Sequence, residues 1–183
     1  MSTSCPESWR VLAALAPRLS VPVVVVQHMS DEFVEGFVHW LGVSVACPVV
    51  KATNMARLAP GVVHVAPGDQ HLTVDAQLVT HLDLTAPLNS CRPSADRLFA
   101  SLASSFGPAA SGVLLTGMGR DGATGLLSMR QAGAVTIAQD ETSSVVFGMP
   151  GEAIRMGGAT VTLPLDRIAP ALRELLPAAR EVP

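Results

Sequence analysis

The sequence predicts an α/β fold, a doubly wound, mainly parallel sheet with helices on both faces and a small antiparallel hairpin. Three observations carry that prediction. Short aliphatic, β-branched runs alternate with segments whose apolar residues recur at helical spacing. Apolar residues make up 49% of the chain and charged residues only 15%, which suits strands covered on both faces. One central stretch breaks the alternation with mixed polar and apolar positions, the pattern of a hairpin.

Taken in order, residues 7–15 carry apolar positions at helical spacing, and residues 21–27 form a β-branched run of the kind that fills a buried parallel strand. Residues 31–41 are helical again, with Ser30 or Asp31 as N-cap and Gly42 as the stop. Residues 62–66 form a strand, and residues 72–75 with 77–82 form the hairpin. The alternation then returns: a helix from Pro93 to residue 106, a strand at 112–116, a glycine-rich turn, a helix at 123–131 and a strand at 134–138. Pro150 opens a short helix, Arg173-Glu174 belong to a solvated final helix, and Arg180-Glu181 to a loose end.

With 183 residues, no internal repeat and no single Pro- or Gly-rich linker, the chain is expected to form one domain. A net charge of −3 without a basic cluster argues against a nucleic-acid partner. The longest aliphatic run, residues 23–26, falls far short of the roughly 20 residues that span a bilayer, so no membrane insertion and a cytoplasmic location are expected. Cys5, Cys47 and Cys91 are odd in number and lack Cys-x-x-Cys spacing, which fits reduced thiols. His64, His71 and His81 show no compact ligand spacing with carboxylates, so no metal is expected.

In doubly wound sheets, ligands bind beyond the carboxyl ends of the strands. That edge holds Gln27-His28-Met29 after one strand and Thr116-Gly117-Met118-Gly119-Arg120-Asp121-Gly122 after another. The second loop matches neither the dinucleotide fingerprint nor the P-loop, so no nucleotide cofactor is expected. A serine hydrolase needs a hydroxyl activated by an imidazole, which a carboxylate in turn orients. Ser2, His28 and Asp121 supply those three groups at one sheet edge. Each also has a structural reading. Ser2 can cap the first helix, His28 can pack at a strand end, and Asp121 can satisfy the start of the helix that follows it. Met118 fits either core filling or a substrate contact, and Cys5 is a rival nucleophile.

The chain also carries a series of longer motifs. They are Ser2-Thr3 followed by Pro6-Glu7, Gln27-His28-Met29 with Phe33, Ala66-Pro67-Gly68-Asp69 with His71-Leu72, and Arg92-Pro93-Ser94 with Asp96 and Leu98-Phe99. The run 115–123, Gln139-Asp140-Glu141, Ser144-Val145-Val146 and Gly148-Met149-Pro150 complete it. In this order they resemble the catalytic domain of the CheB family, the protein-glutamate methylesterases of bacterial chemotaxis. The resemblance implies that Ser2, His28 and Asp121 form the catalytic triad, and that Thr3 and Met118 line the site. It implies hydrolysis of glutamate methyl esters with release of methanol, and deamidation of glutamine by the same path. The implied partners are the cytoplasmic helical bundle of a methyl-accepting chemotaxis receptor and a separate receiver domain, and no cofactor is implied.

The chain departs from the family pattern in two places. Only Met1 precedes Ser2 where the family has a hydrophobic strand, and Ser4-Cys5 stands where the family has a glycine pair. The expectation is therefore a single methylesterase-like catalytic domain over residues 1–183, lacking its first strand and any receiver domain. The alternative is a non-catalytic member of the family that serves as a binding or regulatory module in a chemosensory system.

Overall fold

The structure, a computed structural model, describes residues 8–16 and 19–175. Expectations that fall on Ser2, Thr3, the Ser4-Cys5 pair, residue 7 and the Arg180-Glu181 tail lie outside the described residues. Helix α1 (Ser8–Leu15) is followed by β1 (Val23–Val25), α2 (Asp31–Ser44), β2 (Val49–Lys51) and β3 (Val63–Val65). Both β1 and β2 pair in parallel with β3, in the order β1-β3-β2. An antiparallel pair, β4 (His71–Val74) and β5 (Thr80–Asp83), comes next. Then follow α3 (Ala95–Phe106), β6 (Ser111–Leu114), α4 (Ala123–Gln131), β7 (Val135–Gln139), α5 (Met149–Arg155), β8 (Val161–Leu163) and α6 (Leu165–Leu175). Strands β6, β7 and β8 form a second parallel group in that order. Parallel sheets flanked by helices, with one small antiparallel pair, are the architecture expected from the sequence.

Strand β1 shows why its valines run without interruption. Val23 and Val25 pack with Val34, Phe37 and Leu41 of α2, while Val24 packs with Leu72 of β4 and Leu98 of α3. A strand covered on both faces has no position that favours a polar residue. Helix α1 joins the two halves of the core: Leu12 packs against α2 and β3, whereas Val11 and Leu15 pack with Ile137 of β7 and Ile168 of α6.

The expected stop at Gly42 is corrected, because α2 runs on to Ser44 with Val45 as its C-cap. Leu41 and Val45 are both buried in one cluster, so packing carries the helix past a residue whose backbone entropy would favour ending it. Ser30 is the N-cap, but its hydroxyl bonds Glu32 and leaves the backbone N–H groups of the helix uncapped by it. Among the described residues no helix is long and apolar enough to cross a membrane.

Candidate active site

The chain leaves β1 through Gln27 and presents His28 beyond the strand's carboxyl end. Helix α2 begins three residues later, and its start is held close by the 66–69 loop. There the Gly68 N–H donates to Asp31 Oδ1 at 3.0 Å, and a Cβ on Gly68 would lie 2.2 Å from the Asp31 nitrogen. Only glycine allows that approach. Lys51 of β2 pairs with the same Asp31 carboxylate at 2.9 Å.

His28 is 25% exposed on its side chain, and its Nε2 lies 2.8 Å from Asp121 Oδ2. Asp121 is 1% exposed. Its carboxylate also accepts from the Ser94 hydroxyl at 2.5 Å, the Ala95 N–H at 2.6 Å and the Asp96 N–H at 3.4 Å. Burial, the largest single influence, pushes the Asp121 carboxyl up. The hydrogen bonds from His28, Ser94 and Ala95 together outweigh it and hold the group below the ordinary carboxylate value. An ionised carboxylate only accepts, so His28 donates to it through Nε2, and in the neutral imidazole that tautomer leaves the lone pair on Nδ1.

The donors to Asp121 correct the reading that this carboxylate satisfies the helix following it. Asp121 instead accepts from the first turn of α3, while α4 has Gly122 as its N-cap and no side-chain cap. Ser94 is the N-cap of α3 and accepts from the Arg97 N–H at 3.4 Å while donating to Asp121. Its own N–H donates to His71 Nδ1 at 3.2 Å, which ties the cap to the buried end of β4. Gly122 has φ +87°, and a Cβ there would lie 2.7 Å from Leu114 and 3.2 Å from Ala95. The glycine therefore lets the chain turn while the starts of α3 and α4 stay in contact.

A second buried carboxylate, Asp96, backs the first. It accepts from the Gly125 N–H at 2.6 Å and from Asn89 Nδ2 at 2.7 Å. Burial and the neighbouring Asp121 charge push its carboxyl above the ordinary value. Two adjacent carboxylates are thus driven apart in acidity, and the one on the imidazole is the more readily ionised. Asn89 and Ser90 have φ of +51° and +63°, and Leu88 and Cys91 exchange backbone hydrogen bonds around them. This tight turn aims Asn89 at Asp96 and sets Cys91 Sγ 3.9 Å from His28 Nδ1.

A cleft of about 260 Å³ opens here, lined by His28, Ser30, Asp69, Ser90, Cys91 and Arg92 among others. A larger cleft, about 490 Å³, lies on the α3–α4–α5 side among Arg97, Arg120, Glu152 and Arg155 and does not include His28. The smaller cleft is the one beside the imidazole and is the better candidate for chemistry. The loop 115–122 is held from below, where the Thr116 N–H donates to Gln139 Oε1 and Gly117 N–H to the Val146 carbonyl. Met118 at its tip is 79% exposed and fills no core. His28 and Asp121 are therefore brought together, Met118 stands at the surface, and Ser2 and Thr3 lie outside the described residues.

From the sequence, Ser94, Asp96, Asn89 and Cys91 carry no assigned role. A serine directly after Pro93 and just ahead of a helical pattern is a legible N-cap. Nothing local says that the same hydroxyl reaches a carboxylate 27 residues away.

A buried carboxylate orienting an imidazole at the carboxyl edge of a parallel sheet is an arrangement found in hydrolases of the α/β class. Residues 1–172 match the family profile described as CheB methylesterase, and the chain belongs to that family. It is 50% identical over 166 residues to protein-glutamate methylesterase/protein-glutamine glutaminase 4 of Geobacter metallireducens, covering 90% of this chain and 48% of that protein. It is 47% identical over 165 residues to protein-glutamate methylesterase FrzG of Myxococcus xanthus, covering 90% and 49%. The crystal structure of the Thermotoga maritima CheB methylesterase catalytic domain superposes with a TM-score of 0.84 at 35% identity, covering 92% of this chain and 93% of that one. The chain thus spans about half the length of the curated relatives it matches, and nearly all of a solved catalytic domain.

Proposed function

We propose that this chain is a catalytic domain that hydrolyses glutamate methyl esters, and deamidates glutamines, on the cytoplasmic helices of chemotaxis receptors. Ser2 is the proposed nucleophile, His28 its general base and Asp121 the group that orients and charges the pair. The observation that carries this reading is the 2.8 Å contact between His28 Nε2 and a carboxylate that three further donors hold in place.

In this mechanism the Nδ1 lone pair of His28 takes the Ser2 proton as the hydroxyl oxygen attacks the ester carbonyl. Asp121 stabilises the resulting imidazolium through the Nε2–H. Collapse of the tetrahedral intermediate expels methoxide, which takes the proton from Nδ1 and leaves as methanol. Water, activated by the same nitrogen, then cleaves the acyl-enzyme and frees the glutamate and Ser2. Thr3 and Met118 contact the substrate in this reading. Met118 and Val145, 79% and 69% exposed, are apolar side chains open to a receptor helix in this reading.

The reading is tested by a phosphonate ester that traps activated serines, followed by peptide mapping. The expected result is a single adduct on Ser2 that disappears in His28→Ala. An adduct on Cys5, or none on a chain that still releases methanol, would contradict it.

A further inference from the structure

We propose that Cys91 and His28 form a binding site for a thiophilic divalent cation of the zinc type, with Asp121 bracing the imidazole from behind, and that the bound ion shuts the site. Ligating atoms of His28, Cys91 and Asp121 lie within 4.8 Å of one another. The pair that faces the cleft is Cys91 Sγ and His28 Nδ1, 3.9 Å apart. With ordinary zinc–sulfur and zinc–nitrogen lengths of about 2.3 and 2.1 Å, that separation gives an S–Zn–N angle of roughly 125°. A shift of a few tenths of an ångström would make it tetrahedral.

The rest of the setting fits a metal-bound histidine. Such an imidazole donates its other N–H to a carboxylate, which fixes its tautomer and raises its basicity. Asp121 does this at 2.8 Å. Asp121 itself stays outside the coordination sphere, because its oxygens already accept from His28, Ser94, Ala95 and Asp96. The remaining positions on the ion face the cleft and would be filled by water. A nitrogen and a thiolate select zinc over magnesium or calcium, which prefer oxygen ligands.

Zinc is bound by the thiolate, so binding breaks the S–H bond as the S–Zn bond forms, and one proton passes to the buffer. The ion would occupy the lone pair that the proposed mechanism assigns to the base, so metal and catalysis would exclude each other. The binding itself does not depend on the methylesterase reading.

The test is calorimetric titration of the chain with zinc chloride in buffers of different ionisation enthalpy. The expected result is a saturable site that releases about one proton. Asp121→Asn should weaken it about 10- to 100-fold, and Cys91→Ala by at least as much. Cobalt(II) gives a readout independent of affinity, since the parent should show a thiolate charge-transfer band that Cys91→Ser lacks. Absence of a saturable site in the parent, or Cys91→Ala binding zinc as the parent does, would overturn the proposal.

Discussion

Ser94 concentrates the physics of the site in one hydroxyl. It caps α3, touches His71 through its N–H, and donates to the carboxylate that holds His28. Removing it leaves a buried anion short of a donor, which costs about 1.5–3 kcal/mol, with about 1 kcal/mol more for the lost cap. Ser94→Ala should lower the unfolding free energy by that order and reduce kcat more than KM, because it disturbs the base and leaves the exposed Met118 untouched.

The pH dependence of that variant has a definite sign. The Asp121 carboxyl titrates below its unfolded value of about 3.9. Its ionised form therefore stabilises the fold above that value, and the contribution is lost as pH falls through the lower, folded value. Without the Ser94 hydroxyl the folded value rises, so acid unfolding should begin at higher pH than in the parent. An unchanged acid midpoint, followed by circular dichroism, would contradict the role given to Ser94.

At the scale of elements, the strands that read clearly in the sequence are those with β-branched runs. Val23–Val25 lies inside the expected 21–27, and Val63–Val65 inside 62–66. Strands β2 and β8 were not legible, because three residues such as Val49–Lys51 are too short for any periodicity to show. Helix α3 begins two residues after Pro93, since the cap at Ser94 and not the proline starts its hydrogen bonding.

Gly122 is the element-level feature that is easiest to break. Gly122→Ala forces a Cβ into a left-handed conformation at about 1–2 kcal/mol and against Leu114 and Ala95 at about 1–3 kcal/mol. Gly119 has a similar φ of +88°, but a Cβ there meets nothing within 4 Å. Thermal unfolding should therefore show a larger loss for Gly122→Ala than for Gly119→Ala. Equal losses would mean that the contact between the starts of α3 and α4 is not tight.

Across the whole molecule, α1 binds the β1-β3-β2 core to the β7–α6 core, and the loops after β1 and β6 meet at the site. That meeting was legible in part. His28 and Asp121 follow aliphatic strands in distinctive loops, and carboxyl-end geometry brings such loops together. Cys91 was not legible as a neighbour of His28, because it lies 63 residues further on and reaches the imidazole through a turn with two positive φ values. The same long-range folding hides the zinc-type ligand pair from any search by spacing.

The proposed chemistry rests on Ser2 acting through that His28–Asp121 pair. The most direct measurement is methanol release from methylated receptor by the chain, by Ser2→Ala and by His28→Ala. The expected result is release by the parent, with both variants lower by about 10³-fold or more. Equal, background-level release from all three would contradict the esterase reading and leave a binding or regulatory module in its place.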